Sequence, residues 1–225
     1  VYNYVKQAAM TMLNKRLQEK ALDADCPYVG AYANDGTFIF AKTKDAFNIS
    51  ASPKELGKTA DALKAAYTEA LRAARHGFTA TEYARFQEDY KSSLDKMYSN
   101  KDKRPNSQLY RDLVDNFLEG DPMPSIDFEY QAMSQIVPAL PVEVANQMMA
   151  ELVPANDSNL IVLAFLNEAE GNVYPTEAEL LGAVKDARSA NIEAYVDNVK
   201  NEPLITTLPK AGKVKKEVKN EKLGY

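Results

Sequence analysis

Two long amphipathic patterns that meet at one glycine constrain the fold more than any other feature of this sequence. Ser52 as N-cap and Pro53 at the first helical position predict the start of the first helix, and Gly77 predicts its end. Thr79 and Glu82 then form a capping box, which predicts that a second helix begins at once. The apolar side chains that recur at three- and four-residue spacing are Leu56, Ala60, Leu63, Tyr67, Leu71 and Ala74 in the first helix, and Tyr83, Phe86, Tyr90, Leu94 and Met97 in the second.

Strand patterns lie on both sides of this helical pair. Residues 28–33 and 37–50 are β-prone, and Asp35-Gly36 between them is a turn signal, which together predict an antiparallel hairpin. The apolar run in Ser158 to Asn167 predicts a third strand, either buried on both faces or central in the sheet, that rejoins the hairpin. Further helices are predicted at 4–21, 106–119, 125–137 and 141–152. The predicted fold class is therefore α+β, a small antiparallel sheet with helices packed on one face.

The composition and periodicity of the sequence change after Glu168. Thr176 and Glu179 form another capping box, which predicts a helix to about Arg188, followed by a second short helix to Lys200. Residues from Pro203 onward carry no periodicity and are rich in Lys and Val, which is typical of an extended connector. We therefore predict one domain over residues 1–170 and an inter-domain linker over 171–225.

Charge and hydropathy exclude two classes of partner. Six of the 27 basic and two of the 32 acidic side chains lie in residues 210–222, which leaves 21 against 30, a net charge of about −9 on the body. An acidic body argues against nucleic acid, and the Lys-rich tail is interpreted as a solvated tether rather than a site for anionic lipid. The longest apolar run has seven residues, Leu160 to Leu166, which is too short for a membrane-spanning helix.

The residues that carry metal or nucleophilic chemistry are scarce. A zinc hydrolase needs three protein ligands and a general base, but this sequence contains a single histidine, His76, at a predicted helix C-terminus where a capping role is expected. The single cysteine, Cys26, has no activating base nearby in the sequence and is interpreted as a small buried residue. No zinc site or nucleophile is therefore predicted in this chain.

Other candidate sites have a simpler structural interpretation. The acidic pairs Glu168 with Glu170 and Asp112 with Asp115 could bind a cation, but pairs on polar segments are usually solvated surface. Tyr83 and Tyr90 share the spacing of a buried helix face, which indicates core packing rather than a cofactor pocket. The sequence thus assigns no catalytic, cofactor-binding or metal residue to this chain.

Several local sequences, in the order in which they occur, resemble the insulinase/pitrilysin family of zinc peptidases, which includes the mitochondrial processing peptidases. Met12-Leu13-Asn14-Lys15-Arg16-Leu17 is similar to the family's Leu-Asn-x-Arg-Leu helix, and it leads through Pro27-Tyr28-Val29-Gly30-Ala31 into a strand. His76-Gly77-Phe78-Thr79-Ala80-Thr81-Glu82-Tyr83 resembles the family's Gly-Phe-Thr-x-x-Glu hinge. Ile136-Val137-Pro138 and the tail 209–225 resemble a later helix pair and the connector between the two halves of fused members.

The resemblance covers residues 5–170 best and implies the second, non-catalytic domain of a processing-peptidase-type clamshell, followed by the inter-half linker. The family's catalytic motif, HxxEH with a further Glu, lies in its first domain and does not occur here, so no family site residue transfers to this chain. What the resemblance implies is zinc in a first domain outside this chain, contact with that domain and with the second half, peptide substrates, and a periplasmic or otherwise extracytoplasmic location.

Two further hypotheses remain open. One is that the longer protein lacks a peptidase site and this chain is a catalytically silent assembly module of the same fold. The other is an independent helical binding protein. The opening Val1-Tyr2, which lacks an initiator Met, indicates a segment of a longer chain. The sequence upstream decides between the first two hypotheses, because HxxEH there supports the peptidase.

Overall fold

The computed structural model describes residues 1–38, 41–156 and 158–199, together with 205, 207, 209–213, 215, 216 and 222. Within these residues the helices are α1 Tyr2–Ala21, α2 Thr59–His76, α3 Ala80–Ser99, α4 Asn106–Glu119, α5 Ile126–Ile136, α6 Glu143–Leu152 and α7 Glu177–Ser189. The strands are β1 Tyr28–Phe38 and β2 Ala41–Pro53. Single turns of 3₁₀ helix lie at Leu56–Lys58, Lys101–Lys103 and Val137–Ala139.

Strands β1 and β2 pair as an antiparallel hairpin in which Ala33 lies opposite Ile49. The predicted turn at Asp35-Gly36 is wrong, because both residues lie inside β1, opposite Phe47 and Ala46. The connection between the strands falls at residues 39–40, outside the described residues. The Asp35 carboxylate instead forms an ion pair with Lys6 of α1, which gives this side chain a partner in the helical layer.

The predicted helix start at Ser52-Pro53 is also wrong. Both residues complete β2, where Pro53 lies opposite Tyr28. The backbone N–H of Lys54 then donates to the carbonyl oxygen of Pro27 at 2.9 Å, which extends the hairpin contact beyond the last strand residue. Helix α2 begins only at Thr59, after the 3₁₀ turn. A proline at the end of a strand costs no ladder hydrogen bond, so the Ser-Pro pair is compatible with both structures.

Helices α1 and α2 cover one face of the hairpin, α1 against β1 and α2 against β2. This arrangement confirms the predicted α+β class with helices on one face of an antiparallel sheet. The core that they share is apolar and includes residues from the sheet, α1, α2, α3 and α6; among its most buried members are Ala9, Leu13, Leu17, Tyr28, Ala33, Ala70 and Met149.

The corner between α2 and α3 was predicted correctly. Gly77 follows the last residue of α2 with φ +74° and ψ −170°, a conformation that favours glycine. Both capping boxes are present: the Thr79 hydroxyl accepts from the backbone N–H of Glu82, and Thr176 has the same relation to Glu179. Gly120 closes α4 in the left-handed conformation, and Ser125 caps α5.

The predicted third strand over residues 158–167 is wrong for the described part of the chain. The sheet there contains two strands only, and residues 160–166 belong to neither a helix nor a strand. The side chain of Phe165 is 86% exposed, so burial on both faces is also wrong. The stripe Leu109, Leu113 and Phe117 of α4 is similarly exposed, and α4 contains no buried residue.

Helix α7 and the residues that follow it, to 199, lie against the helical layer. Helix α7 packs on α2, and its Val184 and Ala187 are buried in the core. The second short helix predicted after Arg188 is wrong over the described residues, because 191–199 carry no helix. We call residues 190–199 the strap. The predicted domain boundary at residue 170 stays a prediction.

Among the helices that the structure describes, none combines the length and the apolar character needed to cross a membrane.

Candidate functional site

Helix α1 presents two polar side chains, two residues apart, to different layers of the fold. Asn14 and Arg16 are separated by about 200° around the helix axis, so they point to opposite sides. Asn14 Nδ2 donates to the carbonyl oxygen of Ala33 at 2.8 Å, and its Oδ1 accepts from the Ala33 N–H at 2.7 Å. The Asn14 amide therefore pairs with both backbone groups of Ala33, as a neighbouring strand would.

Arg16 points the other way and forms a buried ion pair with Glu82 of α3. Its Nε and Nη2 donate to the two carboxylate oxygens of Glu82 at 2.7 and 2.8 Å, and Nη2 also donates to the carbonyl oxygen of Gly77 at 2.9 Å. The Arg16 and Glu82 side chains are 1% and 6% exposed. Because the pair is bidentate and desolvated, removing either partner would leave the charge of the other buried and uncompensated.

The carboxylate of Glu82 also serves the capping box. Its Oε2 accepts from the backbone N–H of Thr79 at 2.8 Å. The Glu82 carboxylate therefore connects the start of α3 to the middle of α1, and Arg16 connects both to the Gly77 corner.

Two aromatic rings flank the Arg16 guanidinium. The centroid of the Phe78 ring lies 4.8 Å from the guanidinium carbon and that of Tyr195, in the strap, lies 4.2 Å from it. Such contacts are favourable, and more so where water is excluded. Arg16 Nη1 is buried and makes no hydrogen bond to the described residues. The enclosed space beside this cluster, about 10 Å³, is too small for a substrate.

Polar side chains of the strap attach it to α1 and α3. Tyr195 donates its hydroxyl hydrogen bond to Glu19 at 2.5 Å, and burial together with this bond raises the pKa of Tyr195 well above its usual range. Asp197 accepts from Arg85 through both oxygens, at 2.9 and 3.2 Å, and also from Thr81. Burial alone would raise the pKa of Asp197, but the hydrogen bonds from Arg85 and Thr81 outweigh it and lower that pKa.

The backbone of the strap is held by the last two turns of α2. Arg75 donates to the carbonyl oxygens of Ala190 and Arg188 at 3.2 and 2.6 Å, and Arg72 donates to that of Glu193. His76 Nε2 lies 2.7 Å from the carbonyl oxygen of Ile192, which can only accept, so this nitrogen carries a proton. Three basic side chains at the α2 C-terminus thus hold the strap.

Replacing Asp197 with Ala should release the strap without unfolding the helical layer. The substitution removes charge-assisted hydrogen bonds that contribute on the order of 1.5 kcal/mol, so local opening is expected to become about ten times more frequent. The measurement is the rate of amide hydrogen exchange of the strap residues 191–199. The control is Asp186→Asn, which removes an exposed ion pair with Lys64 and should change the rate little. Equal rates in the two variants would contradict the anchoring role.

The same contact should weaken in acid. The pKa of Asp197 in the folded state lies below the unfolded value of about 3.9. Its contribution to stability is therefore complete above that value and is lost as the pH falls through the lower, folded-state pKa.

The candidate residues of the sequence do not come together as a site. His76 is the last residue of α2 and holds the strap, whereas Cys26 is a buried free thiol between α1 and β1. Glu168 and Glu170 are exposed, and Asp112 of the other acidic pair accepts from Arg104 at 2.5 Å. These positions support the interpretation of both acidic pairs as surface.

Tyr83 and Tyr90 lie in an aromatic cluster in the core, as predicted. The rings of Phe86 and Tyr90 on α3 contact Tyr4 of α1, and the Tyr83 ring stacks on Phe86; the Tyr4 and Tyr90 centroids are 4.8 Å apart in an edge-to-face arrangement. Tyr4 donates to the Tyr83 hydroxyl at 3.3 Å, and burial with this bond raises the pKa of Tyr4 well above its usual range. The cluster packs α1 on α3.

The described residues do not fit zinc. Over the part of the chain that the structure describes, no three His, Cys, Asp or Glu side chains are placed to hold a metal ion. A groove of about 420 Å³ runs along α3, but the residues that line it come from α3 and its end: Glu88, Lys91, Ser92, Asp95, Lys96, Ser99 and Asn100. A shallow polar surface of one helix lacks the convergent groups of an enzyme site.

Sequence reasoning missed the cluster around Arg16. Two of its members carried a signal, since Arg16 belongs to the Leu-Asn-x-Arg-Leu motif and Glu82 to the capping box. Tyr195 and Asp197 carried none, because they meet α1 and α3 across more than 110 residues of sequence.

Three solved structures share this fold. The periplasmic protease PqqL from Escherichia coli matches with a TM-score of 0.66 and 19% identity over 98% of this chain and 24% of that one. The first half of the same protease matches with a TM-score of 0.66 and 17% identity over 87% of this chain and 42% of that one. A predicted insulinase family protease from Yersinia pestis matches with a TM-score of 0.67 and 9% identity over 84% of this chain and 39% of that one.

These matches confirm the predicted insulinase/pitrilysin-like fold. This chain spans about a quarter of the length of the whole PqqL protease. No protein-family model matches the sequence, and no curated protein matches it significantly.

Proposed function

We propose that this chain is a non-catalytic structural and substrate-chamber domain of a zinc-dependent metalloendopeptidase that acts on peptides. The observation that carries the proposal is the fold match to the first half of a protease, of which this chain accounts for 42%. The scarcity of zinc ligands supports a zinc site elsewhere in a longer protein, because one histidine cannot supply a three-ligand centre.

The contacts around Arg16 support a bracing role. The ion pair, the aromatic rings and the strap join three separate parts of the chain, residues 14–19, 77–85 and 190–197. A wall of a chamber must keep its shape while substrate enters and leaves. The extracytoplasmic location that we propose is supported by the periplasmic PqqL protease, which has the same fold.

A second candidate function is a catalytically silent assembly module. The exposed apolar face of α4, which includes Phe117 at 86% exposure, favours contact with another protein surface. The two functions make different predictions for the longer protein, since only the peptidase requires HxxEH and bound zinc.

The purified 225-residue chain is expected to bind much less than one zinc per molecule and to cleave no peptide in a metal-dependent way. The full-length protein is expected to contain about one zinc and to lose peptidase activity on chelation. Metal content is measured by atomic absorption and activity with a mixture of quenched fluorescent peptides. His76→Ala is the matched variant, and it should leave the zinc content of the full-length protein unchanged.

Two results would count against the peptidase proposal. Tight stoichiometric zinc in the isolated chain would place a metal site here. A full-length protein without zinc and without activity would favour the assembly module.

A further inference from the structure

Residues 160–166 form an apolar run on the surface of the fold that has the character of a strand without a partner. The run reads Leu-Ile-Val-Leu-Ala-Phe-Leu. Val162 packs against the core, whereas its neighbours Ile161 and Leu163 are 61% and 56% exposed. Successive side chains of an extended chain point to opposite sides, so the contrast between Val162 and its two neighbours is that of a strand with one face against the core and one face bare.

The backbone of the apolar run is also unpaired. None of its N–H or carbonyl groups makes a hydrogen bond to the described residues. Backbone groups beside large apolar side chains are normally paired in a folded protein, because leaving them without a partner under apolar cover is costly. An apolar strand with both edges open is a ready template for another strand.

The described sheet does not supply that partner. It consists of β1 and β2, and β1 is blocked at Ala33 by the amide of Asn14. The partner must therefore come from outside the described residues.

We propose that the apolar run is a strand of a larger sheet, paired with an apolar strand from another part of the same longer protein, outside these 225 residues. This inference rests on the proposed function, because it requires a longer chain of the protease fold. The fold matches support that occupant: this chain accounts for 42% of a protease first half, which leaves more than half of such a unit to supply strands. A strand in the same polypeptide also has a high effective concentration.

The test is amide hydrogen exchange of the 225-residue chain and of the full-length protein, both at low micromolar concentration. Amides 160–166 are expected to exchange like an unstructured peptide in the isolated chain and about 100-fold or more slowly in the full-length protein. The amides of α2 serve as an internal monitor of folding, because that helix packs in the core.

Two equally exposed phenylalanines provide matched variants. Phe165→Lys should raise the exchange of residues 160–166 in the full-length protein toward the rate in the isolated chain. Phe117→Lys changes an equally exposed side chain, on α4, and should leave those amides protected. If Phe165→Lys fails to fold, as shown by the α2 amides, the exchange of residues 160–166 in the unsubstituted 225-residue chain and full-length protein still tests whether a strand pairs there.

Two outcomes would overturn the inference. Equal exchange in the isolated chain and the full-length protein would overturn it: fast exchange in both would show that no strand pairs there, and protection in both would place the partner within the 225 residues. Protection in the isolated chain that increases with its concentration would assign the strand to a second copy. Neither outcome depends on catalysis, so a full-length protein that lacks zinc and activity yet protects residues 160–166 would refute the proposed function and leave this inference standing.

Discussion

Replacing Arg16 with Met is expected to lower the free energy of unfolding by about 3–5 kcal/mol, a large part of the stability of a typical domain. The methionine fills the space of the aliphatic stem but leaves the Glu82 carboxylate buried, at 6% exposure, without its cation. The capping bond from Thr79 remains and cannot neutralise that charge. The measurement is urea unfolding followed by far-UV circular dichroism, since the chain has no tryptophan.

The neighbouring residue provides the control. Lys15 forms an ion pair with Asp89 in which both side chains are well exposed, and Lys15→Met should cost less than about 1 kcal/mol. A second test is Arg16→Met combined with Glu82→Gln, because glutamine keeps the capping box but removes the buried, unpaired carboxylate charge. The double variant should lose less stability than the sum of the single changes. An Arg16→Met protein as stable as Lys15→Met would show that the ion pair does not hold α1 on α3.

Replacing Gly77 with Ala is expected to lower the free energy of unfolding by about 3 kcal/mol or more. The backbone there has φ +74° and ψ −170°, a region in which a side chain costs about 1–3 kcal/mol. A Cβ atom would also lie 2.6 Å from Cγ and Nδ2 of Asn146. Asn146 cannot move away freely, because its Oδ1 accepts from the backbone N–H of Phe78 at 2.7 Å, and losing that bond costs about 1–3 kcal/mol more.

The substitution Gly120→Ala separates the backbone strain at Gly77 from its close approach to Asn146. It has φ +73° and ψ 18° at the end of α4, but a Cβ atom there would meet nothing within 4 Å. Gly120→Ala should therefore cost only about 1–2 kcal/mol, the penalty of the left-handed conformation. Chemical denaturation of the two variants in parallel checks the difference. If Gly77→Ala were no worse than Gly120→Ala, the close approach of Asn146 would be energetically unimportant.

Local sequence signals predicted the elements that depend on neighbouring residues. The Gly77 corner and the capping box of Thr79 with Glu82 were placed correctly, because glycine conformation and side-chain capping act over three or four residues. The α+β class followed from the same patterns. The Ser52-Pro53 signal failed because a helix cap and a strand end use the same residues.

Errors arose where distant residues decide the structure. Asp35-Gly36 has the composition of a tight turn, but Asp35 pairs with Lys6 of α1 and the strand continues through it. The apolar run at 160–166 has the composition of a buried strand, but burial needs a partner that the described residues lack. The helix predicted at 106–119 is present as α4, but its apolar stripe is exposed, since periodicity shows which face is apolar and not what covers it.

The cluster around Arg16 could be predicted only in part. The motif that contains Asn14 and Arg16 pointed to the helix, but a motif does not say what its polar residues contact. The strap contacts of Tyr195 and Asp197 depend on how the chain returns to α1 and α3 after α7, which no local pattern encodes.

Helix α1 is held on opposite sides: Asn14 hydrogen-bonds to the Ala33 backbone, and Arg16 forms the ion pair with Glu82. Little more than half a helical turn of α1 separates the two contacts, so a displacement of the hairpin is transmitted through α1 to α3. Sliding of the hairpin over α1 would have to break the Asn14 contact with Ala33, and sliding of α3 over α1 would have to break the ion pair. Large movements of a protein that contains this unit would therefore carry the sheet and helices together, with the bending confined to its borders.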